Sequence, residues 1–272
     1  HSLLHARGIA LDLSDGNSLY NVEDMPYTAG QVPELFTHFR KKVEPSTMVR
    51  SPLPVPDFVL APHSLPVSLP LPSPAELCPD YDDTRHVPEM AGAVAEPQAR
   101  AWLQTYIWEA QTILTYKETR NGLMGTTFSS RLSEALALGT LSPRVVYDQV
   151  RRFEHAMQQN DSTYWLQFEL LWRDFFRLMA RKHGQQLFGP AGLSRVPIEW
   201  STDALRLGTW CRGETGFPLV DAAMRQLTHT GWLSNRSRQV VGSFLTKNLH
   251  IDWRLGAQWF EYWLTDYDAA SN

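Results

Sequence analysis

From Gln98 onward the apolar positions recur at helical spacing. Leu103, Tyr106, Ile107, Ala110, Ile113 and Leu114 follow the i, i+3, i+4 rule and share one face. Ser142-Pro143 is an N-cap followed by proline at the first helical position, predicting a helix that runs towards Gln158. Ser162 opens the next helix, with Trp165, Phe168, Trp172, Phe175, Phe176 and Met179 on its apolar side. Pro218 opens a helix that Gly231 ends. Ser234 caps another, whose stripe is Val241, Phe244, Leu245 and Asn248, and Leu255, Trp259, Tyr262 and Trp263 mark a last one. No alternating strand pattern competes, so residues 98–272 are predicted to be an all-α domain.

The earlier part of the chain reads differently. Val32 to Val43 places Leu35, Phe36 and Phe39 on one helical face, with basic residues at its end. Twelve of the 18 prolines lie between Pro45 and Pro97. The run SPLPVPDFVLAPHSLPVSLPLPSP is excluded from helix because proline removes donors and clashes with the preceding turn. Residues 45–97 therefore read as an extended interdomain linker, and residues 1–44 as the end of a preceding domain.

Composition narrows the class. With 43% hydrophobic and 20% charged residues the chain is globular rather than disordered. No apolar stretch approaches the roughly 18 residues of a membrane span, so no membrane role is expected. Two cysteines, Cys78 and Cys211, exclude a disulfide scaffold and a cysteine-rich metal site, and point to a reducing, intracellular setting. The net charge of −4 is uneven: residues 1–97 hold 6 basic and 13 acidic side chains, residues 98–272 hold 19 and 16. A polyanionic partner belongs to the second part. All ten tryptophans lie there too, more than core packing uses. A chain that starts at His1 reads as a piece of a longer one.

Several familiar sites are absent: GxGxxG after a strand, GxxxxGK[ST], GxSxG and HExxH. The nine histidines show no ligand spacing. Four signals remain. In TTFSSRLS, hydroxyls surround Arg131 just ahead of a helical segment, a constellation suited to phosphate, while the ordinary reading is N-capping by Ser133. Glu169 lies within an aromatic stripe, where a carboxylate costs several kcal/mol unless paired, and the ordinary partner is Arg173 at i+4. Asn235, Arg238, Gln239 and Gly242 share a helix face, which a ligand or plain solvent explains. Asp266-Tyr267-Asp268, followed by Asn272, offers carboxylates that pair with Arg238 or meet a hydrogen-bonding ring.

Taken in order, SSRLS, FELLWRDFFR, TGFPLVDAAMRQLTHTGWLSNRSRQVVGSFLTKNLHIDW and DYDAASN resemble the FAD-binding helical domain of the photolyase/cryptochrome family, over about Gln98 to Asn272. YKETRNG and the Gln239 of NRSRQ look most like the DASH branch, where cyclobutane-dimer photolyases typically carry Met at the latter position. SLYNVEDMPY and FTHFRKKVE look like the end of the family's N-terminal antenna-binding α/β domain, most of which is missing here.

The resemblance implies roles. Tyr116, Ser129, Ser130, Arg131, Leu132 and Ser133 would bind the phosphates and ribityl region of FAD, and Arg173 would also touch the cofactor. Arg238 and Asp266 would pair beside the isoalloxazine, with Asp268 at its pyrimidine edge and Asn272 at N5. Glu169, Trp172, Asn235 and Gln239 would line the lesion pocket; Arg236 and Arg120 would touch the DNA backbone. Trp253 and Trp200 would be the middle and outer members of an electron-transfer chain whose inner tryptophan comes four residues after Asn272. The domain is therefore expected to be truncated at its C-terminus. The implied activity is blue-light-driven electron transfer from reduced FAD to cyclobutane pyrimidine dimers, preferentially in single-stranded DNA, by a monomer. An antenna such as methenyltetrahydrofolate would serve it. The alternatives are a blue-light photoreceptor without repair, and a helical binding module that has lost its flavin.

Overall fold

The computed structural model of the chain describes residues 4, 6–11, 16–54, 72–77, 95–125, 127–194 and 196–271. Ten helices organise them: α1 (Phe36–Ser46), α2 (Glu96–Gln104), α3 (Tyr116–Thr119), α4 (Ser133–Leu138), α5 (Pro143–Ala156), α6 (Asp161–His183), α7 (Ala204–Arg212), α8 (Pro218–Thr230), α9 (Asn235–Ser243) and α10 (Trp253–Trp263). A single helical turn, Pro74–Leu77, stands apart. Among the described residues no strand forms, and the sheet-like pairing is one parallel bridge between Ser201 and Ile251. The all-α prediction holds. Most of the proline-rich run lies outside the described residues. No described helix is long and apolar enough to cross a membrane.

Polar caps set the helix starts. The Ser142 hydroxyl accepts from the Arg144 N–H, and Pro143 fills the first position of α5, where a missing donor costs nothing. The longest helix, α6, is capped by Asn160 rather than Ser162: Asn160 Oδ1 accepts from the N–H groups of Ser162 and Thr163. Ser162 is instead buried, accepting from the Lys117 N–H and donating to Glu118. Ser234 caps α9 through the Ser237 N–H. Gly231 closes α8 at φ +66°, where a Cβ would meet the Thr265 methyl at 2.9 Å and the Trp263 carbonyl at 3.2 Å. That close approach lets the Thr265 N–H reach the Gly231 carbonyl and seats the exit of α10 on the end of α8.

Two hydrophobic cores result. The first gathers residues from Leu19 to Met179, around α6; the second gathers Trp210 to Leu264, around α8, α9 and α10. Residues of the 16–46 segment belong to the first core. Asp174, fully buried in α6, accepts from the N–H groups of Leu19 and Tyr20 at 3.0 and 2.9 Å, and Phe36 stacks on Trp172 with ring centroids 3.6 Å apart. The described part of residues 1–44 holds short 3-10 turns and α1, and its buried side chains join the first core. Two stripe assignments also shift. Leu35 precedes α1 and is exposed, and Asn248 is exposed because the end of α9 widens into a π turn over Phe244–Asn248. Pro45 lies inside the last turn of α1.

Candidate functional site

Between the two cores lies a cavity of about 430 Å³, joined by shared walls to a second of about 280 Å³. The larger is lined by Tyr116, Arg120, Ser129 to Ser133, Glu169, Asn235, Arg238, Gln239 and Asp266. Trp172, Arg173 and Asp268 line the smaller. Residues from four separate sequence motifs thus face one space.

The serine segment enters from the loop before α4. The indole N–H of Trp102 donates to the Ser130 carbonyl at 2.7 Å and fixes the loop's course. Arg131 adopts φ +54°, donates to the Gly125 carbonyl at 2.8 Å, and lays its guanidinium 3.5 Å from the centroid of Trp232. Its Nε is buried and has no protein partner. The capping role open to Ser133 is not taken: α4 starts after Leu132 with no side-chain cap, so the Ser133 hydroxyl stays at the cavity wall.

Glu169 does not pair with Arg173. Its Oε1 accepts from Arg120 Nη1 at 2.6 Å and from the Trp165 indole at 3.1 Å. Arg173 is drawn elsewhere, donating to the Asn17 carbonyl and side chain and to the Leu136 carbonyl, where the 16–18 segment and the end of α4 present acceptors. Asp268 lies 3.8 Å from Arg173 and 3.4 Å from Arg177. Burial pushes the Glu169 carboxyl above the ordinary carboxylate range, against the opposing pull of Arg120 and the Trp165 hydrogen bond. Trp172 offers an edge to the smaller cavity while its faces stack on Phe36 and Phe176.

On the opposite wall, Arg238 Nη2 bonds both oxygens of Asp266 at 2.8 and 2.7 Å, and its Nε donates to the Leu233 carbonyl. Only 1% of the Asp266 side chain is exposed. Asn235 and Gln239, one and two turns along α9, are exposed on the solvent side of the cavity wall; Gly242 continues that face into open space. Arg236 lies outside the cavity, bonded to Gln239 Oε1 at 2.8 Å and Asn121 Oδ1 at 2.9 Å. Trp200 and Trp253 are also outside it and half-buried; the Ser201–Ile251 bridge ties the two segments that carry them. Asn272 lies outside the described residues. Among the described residues no cluster of metal-ligating side chains forms.

Comparison with known proteins accounts for this grouping. Residues 165–272 match the family model described as the FAD binding domain of DNA photolyase. Over 265 residues the chain is 48% identical to a cryptochrome DASH from Gloeobacter violaceus, covering 94% of this chain and 51% of that protein. A cryptochrome structure from Synechocystis superposes with a TM-score of 0.85 at 44% identity, over 99% of this chain and 56% of that one. A bacterial class III photolyase from Agrobacterium tumefaciens gives 0.78 at 28% identity, over 99% and 55%. The chain belongs to the photolyase/cryptochrome family. It spans about half the length of the curated relatives it matches.

Within this photolyase/cryptochrome domain, sequence spacing alone missed Trp232, Phe128 and Phe260, which supply the apolar wall of the larger cavity. One signal was available: Trp232 sits in the short link between the Gly231 stop and the Ser234 cap, where a large ring has no helix of its own to pack along. Asp174 and Glu134 also escaped notice. Both are buried carboxylates, and burial raises both above the ordinary range.

Proposed function

We propose that this domain holds FAD in the larger cavity and serves DASH-type repair: blue-light-driven electron transfer from reduced FAD to a cyclobutane pyrimidine dimer, preferentially in single-stranded DNA. The observation that carries the reading is the meeting, in one cavity, of a buried Arg238–Asp266 pair with Glu169, Asn235 and Gln239. The lining fits the cofactor. Hydroxyls of Ser129, Ser130 and Ser133 and the unpartnered Nε of Arg131 supply donors for phosphate oxygens, Asp266 and Asp268 supply acceptors for ring N–H groups, and Trp232 with Phe260 supplies apolar contact. The volume lies within the range usual for ligand sites.

FAD, when bound, supplies the light-driven electron, and the protein supplies position and electrostatics. Arg238 holds the Asp266 carboxylate in a fixed orientation. Glu169, held by Arg120 and Trp165, faces the cavity where a flipped pyrimidine would present its carbonyls, and Asn235 adds an amide beside it. Photolyases as a class extrude the target nucleotide from the stack, and doing so costs less from a single strand than from a duplex. Arg236 at the rim and Arg120 within the cavity would touch the DNA backbone. Trp253 and Trp200 form the outer part of the electron path to the surface.

The test is flavin absorbance of the purified full chain, followed by light-dependent repair of dimer-containing single- and double-stranded oligonucleotides. Flavin together with single-strand repair supports the reading. Flavin with no repair of either substrate leaves the photoreceptor, and no flavin leaves the binding module.

A further inference from the structure

Phe128 and Trp232 are both buried, yet neither belongs to either core. Their rings lie 6.0 Å apart, and Gly122 leaves room for the first: a Cβ there would meet Phe128 Cβ and Cγ at 2.9 Å. The Arg131 guanidinium lies 3.5 Å from the Trp232 centroid and 5.7 Å from that of Phe128. It reaches that place from a left-handed backbone, which a residue with a Cβ adopts only when its surroundings hold it there. Burial lowers the Arg131 pKa, so the aromatic face meets a partly desolvated cation, where such contacts are strongest.

The chain neighbours show what this contact joins. Leu132 is buried in the first core, and Leu233 in the second. The link carrying Trp232 is itself pinned: the Thr230 hydroxyl accepts from the Trp232 N–H at 3.2 Å and donates to its carbonyl at 3.0 Å. One residue past Leu233, Ser234 caps α9, the helix of Asn235 and Arg238. The Arg131–Trp232 contact therefore spans the gap between the cores at the wall of the larger cavity.

We propose that Trp232 is a positioning residue: its ring carries the Arg131 guanidinium, and so holds the Ser129–Ser133 loop in the shape that receives the FAD phosphates. The inference rests on the FAD reading and refines it. Arg131 Nη2 is committed to the Gly125 carbonyl and the guanidinium face to Trp232, while the buried Nε has no protein partner and is a donor for the ligand.

The experiment is hydrogen exchange of the loop amides 127–132 in the full chain, for wild type, Trp232→Leu, Trp232→Phe, Arg131→Met and the Leu/Met double variant, with FAD titration in parallel. Trp232→Leu and Arg131→Met should each speed loop exchange roughly 2- to 30-fold, the range a cation–π contact spans. The double variant should add nothing further, and Trp232→Phe, which keeps a ring face, should recover most of the protection. Unchanged exchange in both single variants overturns the proposal. Should Trp232→Leu fail to fold by circular dichroism, Arg131→Met and Trp232→Phe decide: fast exchange in the first with near-normal exchange in the second supports the latch, and similar rates in both overturn it. If wild type binds no FAD while the loop responds, the FAD reading falls and the latch stands. If FAD binds but the loop does not respond, the latch alone falls.

Discussion

Arg120 Nη1 and Glu169 Oε1 lie 2.6 Å apart, joining the end of α3 to the middle of α6 inside the larger cavity. The pair sits where water is scarce: 21% of the Arg120 side chain and 28% of that of Glu169 remain exposed. Burial nevertheless dominates the Glu169 equilibrium, raising its pKa against the attraction of Arg120. This makes Glu169 a carboxyl whose proton is set by one cation and by whatever enters the cavity.

Removing that cation should raise the Glu169 pKa further. Arg120→Met should cost roughly 1–3 kcal/mol at neutral pH, since it leaves a carboxylate short of its main partner. The cost should shrink in acid, because a protonated Glu169 needs no cation. Urea midpoints across pH give the cost, and a carboxyl C=O stretch absent from Glu169→Gln reports the proton directly. A Glu169 band that titrates identically with and without Arg120 would contradict the coupling.

The Arg238–Asp266 pair leads to a different expectation. Asp266→Ala leaves the Arg238 guanidinium facing a cavity without its bidentate acceptor, and breaking a buried pair costs about 3–5 kcal/mol. Flavin stoichiometry should fall sharply while far-ultraviolet circular dichroism persists below the new melting temperature. Asp266→Asn, which keeps one acceptor, should lose less of both. Full flavin occupancy in Asp266→Ala would remove this pair from the binding site.

How far these contacts are legible in the sequence differs by residue. Helix starts followed from local chemistry: Ser142-Pro143, Ser234 and Pro218 each act within a few residues, so sequence spacing suffices. Arg238 and Asp266 sit 28 positions apart: the sequence alone leaves that pairing open beside a hydrogen-bonding ring, and the family resemblance singles it out. The Glu169–Arg173 alternative failed because i, i+4 spacing says only that two residues can meet, not what else competes. Arg173 found carbonyls of Asn17 and Leu136, and Glu169 found Arg120, 49 positions away. The Arg131–Trp232 contact bridges two cores far apart in the chain, and no local pattern encodes it.

Asp174 gives a pH dependence. Burial lifts its pKa from 3.8 to about 6 in the folded chain, although the Leu19 and Tyr20 N–H groups and two arginines oppose the rise. Because the folded pKa is raised, the folded state binds more protons than the unfolded one between about pH 4 and 6. Stability from this group is therefore full below pH 3.8 and is lost as pH rises through about 6. Asp174→Asn should flatten that segment of the stability curve. Asp174→Ala should destabilise by roughly 3 kcal/mol, through two backbone donors left without acceptors. Denaturant midpoints from about pH 4 to 8 check both, and a slope unchanged in Asp174→Asn would assign the titration to another group, such as Glu134 or Glu169.

The rim of the cavity sets the expectation for DNA. Gln239 presents an amide where an apolar side chain would contact a flipped base, and Arg236 is held against it at 2.8 Å. Gln239→Met should add apolar contact worth about 1 kcal/mol, close to fivefold in affinity, and the gain should be largest for dimers in duplex, where flipping costs most. Arg236 is exposed and does not line the cavity, so on the proposed reading it would contribute to DNA binding through its charge. Arg236→Ala should weaken binding to single strands of any sequence and reduce the slope of log K against log salt by about 0.7. Because Arg236 also restrains Gln239, the Ala variant should lose a little discrimination between single and double strands as well. Fluorescence anisotropy with dimer-containing oligonucleotides over a salt series separates the two effects. A salt slope identical to that of wild type would place the DNA track on another face of the domain.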